Sequence, residues 1–318
     1  MSLSRLKRIF GIALRPLDYA LELIYPSSCL ICERPTPCPP FSLVSRERPL
    51  DTLFCPACRR ELTLPPSVFC KRCGRIVRNP ATMDNCGVCT QDEFYFNEVR
   101  PLHFYRKIPR AAVIRMKHDE KHILAKAIAQ LYFQERRRQL EEFEPDCIVG
   151  VPMNWRRRML RGGINAPEIM AKVIAQKLHI PCLSKNIKRS RSTMTQESVE
   201  WDERLINVYD AFEIYEFTSK FQSFARRLIG QVLKNTWSIF PNQRKDFRSI
   251  ERSIERFMQK KLTPKDCIFK GKRVILVDDV FTTGATTNEI ARILIDAGAS
   301  AVLVAVITRA GLGKKHRK

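Results

Sequence analysis

Four C-x-x-C pairs fall within the first ninety residues: Cys29/Cys32, Cys55/Cys58, Cys70/Cys73 and Cys86/Cys89. A C-x-x-C turn lets two thiolates reach one ion at about 2.3 Å, and two such knuckles complete the tetrahedral shell that zinc takes in structural sites. Pairing the knuckles in sequence order gives a double zinc ribbon; crossed pairing stays open, because spacing names ligands and not connectivity. Four thiolates per ion leave no position for a water, so such zincs would be structural rather than catalytic. A disulfide framework is the competing use of eight cysteines, but the chain shows no export signal and knuckles this close suit an ion better. The remaining Cys38, Cys147, Cys182 and Cys267 are isolated and read as ordinary small or buried residues.

The 318 residues leave room for two or three units, and 44% hydrophobic with 28% charged residues excludes a chain that is disordered throughout. Lys and Arg number 56 against 33 Asp and Glu, a formal charge of +23 that calls for polyanionic partners. Residues 1–100 hold 14 basic against 10 acidic side chains, and residues 101–318 hold 42 against 23. Two zinc–tetrathiolate sites, each about −2, would cancel the excess of the first part, so a polyanion would meet the second part. At the start, Leu6, Phe10, Leu14, Leu17, Leu21 and Ile24 fall near helical spacing, but Arg15, Asp18 and Glu22 interrupt the apolar run a signal peptide or membrane span needs. Residues 1–25 are therefore expected to be an amphipathic helix packing on its own protein, with attachment to a membrane surface as its other use, and the chain is expected in the cytoplasm.

Near the other end, the unbroken apolar run Val274 to Val277 has the composition of a parallel strand buried on both faces. A helix with Ile290, Ile293 and Leu294 on one side follows, ending at Ala297-Gly298, and Ala301 to Ile307 makes the next strand. This βαβ unit puts Asp278 to Thr287 at the carboxyl end of a strand, where open α/β sheets bind ligands. Thr282, Thr283, Gly284, Ala285, Thr286 and Thr287 can turn backbone N–H groups and hydroxyls toward one phosphate at a helix N-terminus, with Gly284 allowing close approach. The segment Val274 to Thr286 resembles the 5′-phosphate loop of type I phosphoribosyltransferases. That resemblance implies that Asp278 and Asp279 accept hydrogen bonds from the ribose hydroxyls of phosphoribosyl pyrophosphate, with Mg²⁺ on its diphosphate.

Together with the knuckles, the chain resembles the ComF/GntX family of competence-associated, phosphoribosyltransferase-like proteins. Phe104-Tyr105, Ile114 to His118, Val151-Pro152-Met153, Arg191 to Gln196, Glu203 to Val208 and Ala211-Phe212 follow its pattern in order. The fold expected is a type I phosphoribosyltransferase-like α/β domain, a parallel sheet with helices on both faces, over 98–318, behind a double zinc ribbon over 26–97. Pro109 begins a helix read as running through Ile114, Ile123, Ala127 and Leu131, and Asp146 to Val151 reads as a strand. Beyond that strand, Arg156, Arg157, Arg158 and Arg161 suit a diphosphate or a nucleic-acid backbone, although the family's Arg-Gly-Phe-Asn-Gln stands here as Arg161-Gly162-Gly163-Ile164-Asn165-Ala166. Arg191, Thr193, Gln196 and Arg204 would belong to a loop over the site. A second departure is the insertion 213–265, with 12 basic and 5 acidic residues and helical apolar spacing, which is either a packed helical hairpin or a basic partner surface.

The resemblance supplies the leading function: binding of a phosphoribosyl pyrophosphate-type ligand and of single-stranded DNA during DNA uptake, with a DNA-uptake helicase as partner. The charge permits that role without specifying it. A working Mg²⁺-dependent phosphoribosyltransferase acting on a base or amine is the alternative, and a non-catalytic zinc-ribbon adaptor is a third.

Overall fold

Two apolar runs, one on each side of the acidic loop, become the middle of the sheet. The computed structural model describes residues 28–36, 50–65, 69–77, 84, 86, 89, 94–119, 122–154, 165–190, 208–215 and 267–310. Its strands are β1 (Glu98–Phe104), β2 (Cys147–Gly150), β3 (Ile187–Arg189), β4 (Phe212–Ile214), β5 (Arg273–Phe281) and β6 (Ala301–Arg309). The order β1-β6-β5-β2 is parallel at every pairing, and β3 and β4 form a separate antiparallel pair. Side chains alternate across the central strands. Ile275, Val277, Leu303, Ala305 and Ile307 face one core, while Val274, Leu276, Val302, Val304 and Val306 face the other. With both faces covered, neither β5 nor β6 has a solvent side to populate with polar residues, which is why the two runs are uninterrupted.

The helices are α1 (Leu50–Leu53), α2 (Pro56–Leu62), α3 (Lys107–Met116), α4 (Ile123–Glu142), α5 (Ala166–Leu178) and α6 (Ala285–Asp296). Apolar residues of α3, α4 and α5 fill the first core, and those of α6 and the β3–β4 pair fill the second. One expectation is corrected here: the helix read as continuous from Pro109 to Leu131 is two. The chain leaves α3 after Met116 and enters α4 through His122 in the left-handed conformation, φ 58°. The polar run from Lys117 to His122 has no apolar side chain to bury, and Asp119 caps the second helix by accepting from the Leu124 amide at 2.6 Å.

The cysteine-rich segment is fastened to the sheet domain at several levels. Cys29, Ile31, Phe54, Cys55, Cys58 and Leu62 share one continuous core with α3 and α4. Arg136 of α4, 1% exposed, donates to the carbonyls of Pro101 and Leu102 on β1 and of Leu64 just after α2, at 3.0, 3.2 and 2.6 Å. Burial pulls its pKa below the usual arginine value, a cost that the carbonyl acceptors offset. On the third knuckle, Cys70/Cys73, the Lys71 carbonyl accepts from the Val99 amide of β1 at 2.7 Å. No helix among the described residues is long and apolar enough to cross a membrane. The N-terminal segment 1–25 lies outside them, as does most of the insertion 213–265.

At the carboxyl end of β2 the chain turns directly against the start of α5. A Cβ on Gly150 would lie 2.6 Å from the Pro167 carbonyl oxygen and 2.7 Å from the Glu168 backbone. Neither neighbour can swing away as a side chain tip would. Replacing Gly150 by Ala should therefore cost about 1–3 kcal/mol of stability or more, read as a lowered denaturation midpoint. An unchanged midpoint would show that strand and helix are not held this close.

Candidate functional site

The eight paired cysteines gather into two groups of four, Cys29, Cys32, Cys55, Cys58 and Cys70, Cys73, Cys86, Cys89, with the sulfurs of each group within 4.8 Å of one another. The grouping is the one that sequential pairing of the knuckles predicts. A tetrahedron with metal–sulfur bonds near 2.3 Å has edges of about 3.8 Å. The sulfur separations are 3.6 Å for Cys32–Cys55, 3.9 Å for Cys70–Cys89, 3.7 Å for Cys73–Cys86 and 3.6 Å for Cys86–Cys89. Each group can hold one metal ion, and four sulfur donors without an open position fit zinc. In the second group a hydrogen bond from Cys73 pulls the Cys70 thiol down to about 4 against the opposing effect of burial. The same hydrogen bond, together with burial, pushes Cys73 up. Four thiols this close cannot all ionise unaided, and a divalent cation held by them would supply the missing positive charge.

The second site is the end of β5 and the turn into α6. Asp278 and Asp279, both half-buried, fold their carboxylates back on the chain: Asp278 Oδ1 accepts from the Asp279 amide and Asp279 Oδ1 from the Val280 amide, each at 2.8 Å. Burial first, and the neighbouring Asp279 second, raise the Asp278 carboxyl well above the usual carboxylate range, while Lys117 beyond the end of α3 acts in the opposite direction. Gly284 caps α6 with φ +85°, and a Cβ there would lie 2.5 Å from Phe281 Cζ. Only glycine fits both constraints. Thr283 Oγ1 accepts from the Ala285 amide at 3.1 Å. The Thr287 side chain is buried and its hydroxyl donates to the Gly284 carbonyl at 3.0 Å, so it shapes the turn from within. Thr282 and Thr286 are half-buried beside it. The first amides of any helix lack intrahelical acceptors, and together with the positive end of the dipole they make such a turn fit for a phosphate.

Comparison with known proteins bears on this arrangement. The family profile described as phosphoribosyl transferase domain matches residues 222–318, a span that contains β5, the turn, α6 and β6. Along most of the chain there is similarity to the DNA utilization protein YhgH of Escherichia coli (strain K12), 25% identical over 80% of this chain and 96% of that protein. Competence protein F of Haemophilus influenzae is 24% identical over 81% of this chain and 90% of its own length. These likenesses support the resemblance to the ComF family. Among solved structures, UMP synthase of Leishmania donovani aligns at 17% identity over 57% of this chain and 22% of that one, with a TM-score of 0.25. This chain thus spans about a fifth of that protein, and the overlap is too loose to bear on the fold.

The arginine-rich segment that holds Arg156, Arg157, Arg158 and Arg161 lies outside the described residues, but both of its ends lie within them. It leaves from the end of β2, where the Val151 amide donates to the Val277 carbonyl of β5 at 2.8 Å. It returns at Asn165, whose side-chain amide donates to the Val151 carbonyl at 3.1 Å. Its base is thus beside the strand that carries the acidic pair. Arg191, Thr193, Gln196 and Arg204 also lie outside the described residues.

Two residues that hold the loop have no role in the sequence reading. Phe281 fills the space beneath Gly284, and Arg309, 3% exposed, lies with its guanidinium carbon 4.8 Å from the centre of the Phe281 ring. An arginine ending a nine-residue apolar strand was the available signal. The charge at Asp278 has a testable consequence. Its folded-state pKa lies above the unfolded value near 4, so its contribution to stability is intact below that value and erodes as pH rises toward the folded pKa. Asp278→Asn keeps the oxygen that accepts from the Asp279 amide and removes the charge. The variant should melt at a higher temperature than the wild type at pH 8, and the gap should narrow toward pH 5; a constant gap would contradict a carboxyl that titrates in the folded protein.

Proposed function

We propose that this chain binds a phosphoribosyl pyrophosphate-type ligand at the β5–α6 turn and single-stranded DNA along its basic surfaces, serving DNA uptake or utilization, with two zinc ions holding its ribbon. The observation that carries the ligand reading is the adjoining of two carboxylates and a glycine-capped, threonine-rich helix start at the carboxyl end of a parallel strand. The carboxylates suit hydroxyl donors of a ribose, and the turn suits its 5′-phosphate. The carboxylates are also hard oxygen donors of the kind that Mg²⁺ takes when it accompanies a diphosphate. The names of the Escherichia coli and Haemophilus influenzae relatives support a role with DNA, and the net charge of +23 is compatible with it.

A catalytic reading is favoured by one observation, the match of residues 222–318 to a phosphoribosyl transferase domain. In it the same site would bind phosphoribosyl pyrophosphate and pass the ribose phosphate to a base or amine. Pyrophosphate release over a panel of bases, run beside single-stranded DNA binding at several salt concentrations, separates the readings. Turnover supports the enzyme; salt-dependent DNA binding without turnover supports a ligand-binding DNA protein; neither would leave an adaptor built on the ribbon. If the arginines between Val151 and Asn165 touch the DNA backbone, neutralising two of them should flatten the salt dependence by about 0.7 per lost contact.

Metal analysis of protein purified without chelator should approach two zinc per chain, and values near zero with oxidised thiols would reject the metal assignment. Asp279→Ala removes a side-chain oxygen acceptor for a sugar hydroxyl. It should weaken phosphoribosyl pyrophosphate by about 1.5–3 kcal/mol, tenfold or more by calorimetry, whereas equal affinity in wild type and variant would refute the ribose assignment.

A further inference from the structure

The anion-binding turn and the second cysteine tetrad are joined by one buried side chain. Arg309 ends β6, and its register partners are Phe104 of β1 and Phe281 of β5. Its Nε donates to the carbonyl of Cys73 at 3.0 Å. Its Nη1 donates to the carbonyls of Phe281 at 3.1 Å, Ala310 at 2.6 Å and Thr282. Cys73 is a member of the tetrad, and Phe281 and Thr282 lead into the turn. A buried guanidinium that loses an acceptor pays a desolvation penalty, so Arg309 must follow either set of carbonyls if it shifts.

A second route, apolar, runs beside the first. Phe94 packs against the second tetrad and stacks on Phe96 at 4.6 Å. Phe96 meets the Phe281 ring edge-on at 5.8 Å, and that ring lies under Gly284. Gly74, directly after Cys73, has φ +66°, and a Cβ on it would come within 3.1 Å of Pro101 and Val99 and 3.5 Å of Arg309 Cδ. The knuckle therefore has little room to change shape without pressing on β1 and on the arginine. The first tetrad has no such connection among the described contacts; its cysteines lie in the core formed with α3 and α4.

We propose that Arg309 is a positioning residue that couples the two sites: metal in the Cys70, Cys73, Cys86, Cys89 tetrad sets the shape of the 281–287 turn, and a phosphorylated sugar in the turn retains that metal. The second half rests on the ligand reading given above; the first half does not. Coupling of this kind is reciprocal by thermodynamic necessity, so it can be read from either side.

The first measurement is hydrogen exchange of the 281–287 segment in the full chain. Emptying the second tetrad with Cys86→Ser should speed exchange there about tenfold, within the usual range of coupling between sites. Arg309→Met should produce the same rise while both metals remain bound, which a merely destabilised ribbon would not do. Protection equal to wild type in Arg309→Met, with the chain folded, overturns the proposal, as does unchanged exchange in Cys86→Ser. The second measurement is the rate of zinc loss to a chromogenic chelator with and without ribose 5-phosphate. The sugar phosphate should slow loss of one zinc about tenfold in the wild type and leave Arg309→Met unaffected. Equal slowing in both proteins counts against Arg309 as the link. Should ribose 5-phosphate fail to bind the wild type while exchange still follows the metal, the ligand reading falls and the metal-to-turn coupling stands.

Discussion

Parallel pairing of β5 with β6, in register from Arg273↔Ala301 to Phe281↔Arg309, places everything else at this site. Because the two strands run the same way and are joined through α6, their carboxyl ends lie side by side, and the turn after β5 and the arginine ending β6 meet there. The alternation of apolar side chains buries both faces as far as Val277. Beyond it two half-buried carboxylates stand within β5, before Val280 and Phe281 return to the two cores. Burial and the neighbouring Asp279 disfavour the charged form of Asp278, which costs stability where that carboxyl ionises. Such a compromise is expected where polar groups are kept for a ligand rather than for the fold.

The ribbon is a distinct unit in sequence and a joined one in space. Cysteine spacing alone would suit a module on a tether, but the first tetrad shares a core with α3 and α4, and Arg136 and Arg309 reach out of the sheet domain to the carbonyls of Leu64 and Cys73. Arginine suits this work because its planar fork can serve several carbonyls at once and remains charged when buried. If Arg309 couples the two sites as proposed, a metal in the second tetrad would bear on ligand binding at the β5–α6 turn.

Much of this was legible in the chain because the chemistry is local. The knuckles, the β5–α6–β6 unit and the acidic pair are each written within a few tens of residues, where spacing and periodicity speak directly. The pairing of the two cysteine groups followed from proximity along the chain. The break between α3 and α4 is marked by the polar Lys117 to His122 run and by Ile114, which lies nine residues before Ile123 and so half a turn out of phase with the Ile123, Ala127, Leu131 spacing. Arg309 and Phe281, by contrast, were invisible. Their partners, Cys73 and Gly284, come from a knuckle far away in sequence and from a backbone conformation, neither of which periodicity reports.

The central claim is that the turn between β5 and α6 receives the phosphate of a sugar phosphate. Backbone amide signals of Thr283 to Thr287, followed by nuclear magnetic resonance during titration of the full chain with ribose 5-phosphate, test it most directly. The account predicts saturable shifts centred on Gly284 and the first turn of α6, abolished when Gly284 is replaced by alanine and the turn can no longer close over Phe281. Saturable shifts that spare these amides and gather elsewhere would contradict it.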